Sequence, residues 1–401
     1  ARLDSSTPGA DANLDGNVNA LDITKVERII VGLDDGPVGA SLPRYGSILT
    51  AAITGDPSTF DSGTSSNSGG ALVNTVYEQY MSLDWRRGPA GSGVSNLAAG
   101  ASSLEDNYGP HLSTNWTMPE PGVWILQIRQ GVNWALDPTS EASRLVGGRV
   151  LTADDIVYSL NRLLSSNTSW IKTSQPAIRA ATSINKTGPW QVTIRTPVDY
   201  MTSFIWIIQG AGFNRVYPPE VVQKYGNMGN WRNAVGTGPF MLVNYVPGSL
   251  LSYVRNPNYW GTDPLAPGMG NRLPYVDAYR EIIIPDSATR LAAFRTGQLD
   301  LMSGVTGGDA QSLLQTNPQL ERLTYLSNLP WAIAIRTDNV SGPFDDVRVR
   351  QALMLATDFS AIKNYYYGGQ AEIDVWPVNS QLTDMYTPLS AMPQAVRDLY
   401  V

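Results

Sequence analysis

Hydrophobic and polar positions are most sharply punctuated between residues 240 and 302, where they predict a hairpin, a strand, a helix and a further strand in that order. Residues 240–245 and 250–254 are apolar-rich runs separated by Val-Pro-Gly-Ser, a turn group whose proline fixes one backbone angle and whose glycine frees another. The Gly-Thr-Gly-Pro entrance at residues 236–239 cannot be helical and leaves room for another backbone to come close. Residues 282–284 form a β-branched run ended by Pro285, and Asp286 or Ser287 supplies the cap for a helix carrying Leu291, Ala292 and Phe294. Gly297 stops that helix. The next strand, residues 299–302, follows so closely that helix and strands must pack as one layered α/β unit.

The same reading extends to the flanks. Residues 46–53 predict a strand, and residues 73–81 a helix with Val73, Val76, Tyr77 and Tyr80 inward. In residues 123–129, Trp124, Leu126 and Ile128 alternate with Gln127 and Arg129, the pattern of a half-buried strand. Thr152 stands three residues before Asp155, approximating a capping box that opens a helix over residues 153–164 with Ile156, Val157, Leu160 and Leu163 as its apolar stripe. Residues 344–356 predict a further helix, capped by Asp345 or Asp346, with Val349, Ala352, Leu353 and Ala356 on one face and with Arg348 and Arg350 solvated or ion-paired.

Length and composition widen the picture. At 401 residues and 42% hydrophobic content the chain exceeds one ordinary core, so two or three domains are expected. The 37 glycines and 27 prolines imply many turns and loops rather than a helical bundle. A net charge of -7, with no basic cluster beyond Arg86 and Arg87, argues against nucleic acid as a partner. The lack of cysteine removes thiol catalysis, thiolate metal sites and disulfides, and fits an exported protein. No apolar run approaches the roughly 18 residues needed to span a bilayer. The opening on Ala1 rather than Met leaves room for a removed signal peptide or lipid anchor, and the sequons at Asn115, Asn167, Asn185 and Asn339 permit glycosylation outside the cell.

Residues 9–36 are a different module. Asp11, Asn13 and Asp15 fall at loop positions 1, 3 and 5, Gly16 at 6, Asn19 at 9 and Asp22 at 12, and position 7, Asn17, offers its backbone carbonyl. That is the oxygen set and sharp turn of an EF-hand-like calcium loop; a polar turn before an ordinary helix does not easily supply so many correctly spaced positions. With Asp rather than Glu at position 12 and a single helix following, the module resembles a dockerin repeat, which implies calcium as its ion and a cohesin-like domain as its partner. The echo between residues 1–4 and 31–34 suggests that a first repeat lies upstream. Residues 36–45 read as a linker.

In the body of the chain, four blocks come in a recognisable order: DPSTFDSGTSSNSGGALVNTVYEQY from Asp56, LTADDIVYSLNRLL from Leu151, the pair VGTGPF from Val235 and NPNYW from Asn256, and PFDDVRVRQALMLATD from Pro343. Together they resemble the family 5 extracellular solute-binding proteins, the oligopeptide, dipeptide and nickel receptors of ABC importers. The resemblance implies an α/β fold of the type II periplasmic-binding-protein kind, multi-lobed and hinged. Lobe I is expected from residues 46–76 and 190–328, lobe II from 77–189, and the start of lobe III from 329–401, with the family's C-terminal part lacking a counterpart. It further implies a peptide or similar small solute as ligand, an ABC importer permease as membrane partner, and an extracellular, surface-tethered or periplasmic location.

By the same resemblance the loop holding Ser62, Gly63, Thr64 and Ser65 borders the ligand cleft, although those residues alone read equally as a flexible surface loop. Trp170 falls just after a helix where oligopeptide receptors set an aromatic against the ligand, and Ser303, Gly304 and Trp331 are candidates on the same argument. Packing in the core is the alternative fate of either tryptophan. No enzyme signature stands out. His111 is the sole histidine and reads as a lone exposed one, without the partners of a triad or zinc site. Ser169 with Lys172, and Lys186-Thr-Gly, imitate penicillin-recognising motifs at the wrong separation. The leading expectation is therefore a solute receptor and not an enzyme; the alternative is a structural surface protein that uses a receptor-like fold and docks through calcium.

Overall fold

The computed structural model describes residues 43–61, 75–84, 108–167, 169, 171–172, 176–201, 215–265, 268–324, 335–336, 342–373 and 386–400. Its strands are β1 (Ile48–Ile53), β2 (Met81–Leu83), β3 (Tyr108–Pro110), β4 (Ser113–Glu120), β5 (Val123–Ile128), β6 (Ser183–Gly188), β7 (Gln191–Arg195), β8 (Phe240–Val246), β9 (Leu250–Arg255) and β10 (Ala278–Ile283). The helices used below are α1 (Glu141–Val146), α2 (Ala153–Ser165), α3 (Pro176–Ala181), α4 (Pro219–Tyr225), α5 (Ser287–Arg295), α6 (Gly307–Thr316) and α7 (Val347–Leu355). The chain divides into two compact units, one ending at Ser303 and the next starting at Gly304, whose backbone is left-handed (φ 69°).

The first unit holds two four-stranded sheets. In one the order is β1-β10-β9-β8, built on the predicted hairpin, with Gly248 at φ 67° in its turn. β9 pairs antiparallel with both neighbours, whereas β1 and β10 run parallel, Ile48 opposite Ala278 and Ile53 opposite Ile283. Beyond β1 the predicted strand at residues 299–302 is reduced to a single parallel bridge between Ala51 and Leu301. The predicted cap of α5 is present: the Asp286 side chain accepts the Thr289 N–H at 2.7 Å. The predicted stop is a left-handed Gly297 with Gln298 N–H on Ala293 O at 2.9 Å.

The second sheet, order β4-β5-β7-β6, is antiparallel throughout. β7 is the middle partner of β5 and β6 in this sheet. α2 covers β6 and β7 with Ile156, Leu160 and Leu163 buried, each burial worth about 1.5–3 kcal/mol. Asp155 makes the anticipated contact, accepting the Thr152 N–H at 2.8 Å, and its carboxylate is gripped by Arg149, which also holds Glu220 of α4.

Of the helix expected over residues 73–81, the described residues keep only Thr75 in helical conformation. From Val76 the segment follows a non-helical path into β2, although Val76, Tyr77 and Tyr80 are buried as expected. The cause is a rival hydrogen bond: the Val76 carbonyl accepts the Gly238 N–H at 2.9 Å. The second unit contains α6 and α7. Residues 343–345 form a short 3-10 turn, and Asp346 caps α7 by accepting the Arg348 N–H at 2.8 Å.

Candidate functional site

The parallel strands set the direction of the site. β1, β10 and the bridge at Leu301 all point their carboxyl ends to the same edge, the edge at which open α/β sheets present ligand-binding loops. Ser303 and Gly304 leave from it, and both are exposed. Asp300 fastens this exit to the sheet: its carboxylate accepts the Thr50 N–H at 2.6 Å, while its own N–H reaches Thr50 O at 2.9 Å. Burial pushes the Asp300 carboxyl up, and the Thr50 amide opposes that shift only in part.

The other chain to leave this edge is the one after β1, and it is clamped at several points. Asp56 accepts the Gly248 N–H at 2.9 Å and the Tyr245 hydroxyl at 2.7 Å, which ties it to the tip of the β8–β9 hairpin. The Gly248 amide, ahead of the Tyr245 hydroxyl, holds the Asp56 carboxyl below the usual carboxylate range. Farther on, buried Asp61 takes Arg162 of α2 through both terminal nitrogens and accepts the Met228 N–H at 3.2 Å. Farther along the chain, Val76 is met by the glycines of the Gly-Thr-Gly-Pro entrance. A Cβ on Gly236 would lie 1.9 Å from Val76 O and one on Gly238 2.5 Å from Thr75 O, so the close approach inferred from the sequence is made by this segment.

A further cluster joins residues from distant parts of the chain, and the sequence reading missed it. Glu78 is 1% exposed; its Oε1 is 2.8 Å from His111 Nε2, and its Oε2 accepts the Trp260 indole N–H at 3.0 Å. The Tyr259 hydroxyl also bonds to Glu78, and burial with that carboxylate beside it pushes the phenol far up. His111 is therefore not the lone exposed histidine expected but a partner of a buried carboxylate. The NPNYW block places the two rings: Asn256 Nδ2 donates to Gly238 O at 2.9 Å, and Gly261 gives the Tyr259 ring space that a Cβ, 2.4 Å from its Cε1, would fill. A second buried carboxylate, Glu281 on β10, accepts the hydroxyls of Tyr253 at 3.0 Å and Tyr279 at 3.2 Å; burial nonetheless raises its carboxyl.

Residues 107–391 match the family of bacterial extracellular solute-binding proteins, family 5 Middle. This chain belongs to that family. Three of the four sequence blocks lie inside the matched stretch, and the block from Asp56 precedes it. Among curated family 5 relatives, heme-binding protein A of Haemophilus influenzae is 27% identical over 305 residues, covering 70% of this chain and 52% of that protein. The periplasmic oligopeptide-binding protein OppA of Salmonella typhimurium is 27% identical over 285 residues, covering 66% and 47%. The chain thus spans about half the length of these relatives. The structure of the oligopeptide-binding protein AppA from Bacillus subtilis, in complex with a nonapeptide, superposes with a TM-score of 0.60 at 19% identity over 84% of this chain and 59% of that one, a likeness of fold.

Of the residues singled out from the sequence, Ser303 and Gly304 stand at the family 5 chain's carboxyl edge. Ser62, Gly63, Thr64, Ser65, Trp170 and Trp331 lie outside the described residues, as do the calcium-loop residues Asp11, Asn13, Asp15, Asn17, Asn19 and Asp22. Their described neighbours are informative: Asp61, which precedes Ser62, is ion-paired with Arg162 on the helix that precedes Trp170. Among the described residues no group of three carboxylate or imidazole side chains is arranged to hold a metal. The penicillin-like motifs have ordinary roles, since buried Ser169 accepts the Ile171 N–H at 3.3 Å and exposed Lys186 pairs with Asp154 at 2.6 Å.

Proposed function

We propose that this chain is the solute-capturing component of an ABC importer on the outer side of the membrane, periplasmic or tethered to the cell surface. It takes a peptide or a similar small solute into a cleft between lobes and delivers it to a membrane permease. Membership of family 5 over residues 107–391 carries this reading. In it, lobe I is organised around the sheet of β1, β10, β9 and β8, lobe II around the sheet of β4 to β7, and lobe III starts in the segment from residue 329. Rigid lobes that close by a hinge enclose a ligand at little ordering cost, and contact with both sides favours the closed state. Main-chain hydrogen bonds suit extended peptides, with Ser62 to Ser65, Ser303 and Gly304 as polar contacts and Trp170 and Trp331 as aromatic ones. No bond of the solute is broken in this role.

The test is native mass spectrometry of the protein purified from its own host, followed by calorimetric titration with the identified solute and with peptides of two to nine residues. A stoichiometric guest that is recovered unaltered supports the reading. An empty protein that binds none of these, or a guest returned cleaved, overturns it.

The N-terminal module is read as calcium-loaded, with Asp11, Asn13, Asp15, Asn19 and Asp22 as side-chain ligands and Asn17 through its carbonyl, and as docking onto a cohesin-like domain. Chelation should then unfold residues 9–36 and leave solute affinity unchanged; equal loss of both would refute the independence of the module.

A further inference from the structure

Arg129 follows β5 and is held in a way that leaves most of its hydrogen-bonding capacity unspent. Its Nε donates to His111 O at 2.7 Å, and its guanidinium carbon lies 4.2 Å from the centroid of the Trp260 ring. The indole cannot turn away, because its N–H is committed to Glu78. One nitrogen and one face of the guanidinium are therefore fixed, and among the described residues its two terminal nitrogens donate to no protein group. The nearby carboxylate does not claim them. Glu78 already meets His111, Trp260 and Tyr259, and no ion pair joins it to Arg129. Both Arg129 and Trp260 are partly exposed, so the open side is reachable from solvent. Burial has already stripped part of the water from this cation and made its charge harder to keep, which increases what it gains from an anion.

The position separates this cluster from the carboxyl edge of the sheet. Val254 at the end of β9 is opposite Ala278, and Ala278 is opposite Ile48, so the chain leading to Tyr259 and Trp260 leaves where β1 and β10 begin. We propose that Arg129, stacked on Trp260 and flanked by His111, is a binding site for a small carboxylate, away from the edge that carries Ser303. A planar carboxylate matches the two parallel N–H bonds that a fixed guanidinium edge offers, which a point charge would not require. The inference does not depend on what the cleft transports.

The imidazole of His111 is the only one in the sequence, so its C2–H resonance is a single reporter next to the site. Sodium acetate is titrated into the whole protein at constant pH, against sodium chloride at equal ionic strength. Acetate is expected to move the resonance along a saturating curve with half-saturation on the order of 10 mM, as one charge-assisted pair allows. Arg129→Gln should weaken this at least tenfold, and Arg129→Lys, which keeps charge and stacking length but loses the fork, should weaken it severalfold. Arg195→Gln, at the exposed end of β7, should leave it unchanged. An equal shift with chloride, a curve that does not saturate, or the same curve in both Arg129 variants would overturn the proposal.

Discussion

Two capped helices, each predicted with an apolar stripe, have opposite fates in this molecule. α2 buries Ile156, Leu160 and Leu163 against the antiparallel sheet, whereas α7 buries none of its residues among those described, leaving Val347 51%, Leu353 45% and Leu355 57% exposed. Each has the anticipated cap, the Thr152–Asp155 box on α2 and Asp346 on α7, and each lies in a block that carries the family resemblance. A 3.6-residue stripe and a cap therefore specify that a helix forms and which face is apolar; they do not specify the surface that face meets. Propensity and capping are local, and burial is supplied by strands that the sequence reading has to find elsewhere.

The comparison is broken most directly by truncating one leucine on each helix. Leu160→Ala should cost about 3 kcal/mol by chemical denaturation, since its side chain is fully enclosed, and Leu353→Ala about 0.5 kcal/mol or less. Equal losses would mean that the face of α7 is covered in solution. The next effect concerns ion pairs. Asp61 and Arg162 are only 8% and 13% exposed, so Asp61→Asn should cost about 2 kcal/mol. Lys186→Gln, which breaks a pair 40% and 67% exposed, should change the melting temperature within error.

The smallest effect sharpens the sign of burial. Burial raises the Glu281 carboxyl in the folded protein above its unfolded value, so between those two values the folded state holds more protons than the unfolded state. Stability from this group is complete below the unfolded value and declines as pH rises towards the folded one. Glu281→Gln should flatten the fall in melting temperature from about pH 4 upward, the ordinary glutamate range; an unchanged slope would show that the two tyrosine hydroxyls compensate fully.

Much of the fold was legible where the determining contacts are local. The β8–β9 hairpin, the Asp286 cap, the Gly297 stop and the α2 stripe all depend on residues a few positions apart. From Val76 the segment expected to be helical departs because Val76, Tyr77 and Tyr80 are buried along a non-helical path, and helical spacing cannot distinguish that from one inward face. Ser303 and Gly304 were singled out because they follow a predicted strand, of which the structure keeps the bridge at Leu301. Nothing near Glu78 in sequence announces His111 or Trp260, since each reaches it from a separate turn of the chain. The glycines at 236 and 238 gave the one clue, a need for backbone proximity, without naming what approaches.

The parallel pairing of β1 has a consequence for how the protein is made. Asp300, which fastens this strand, lies 250 residues after Thr50, and the β10 partner is also far downstream. At translation speeds of about 5–20 residues per second, β1 waits on the order of tens of seconds as an unpaired edge, while the antiparallel sheet, complete by Arg195, has already had time to close. Among the described strands, the earliest on the ribosome is then among the last to be secured, and until then its edge is open to pairing with another chain.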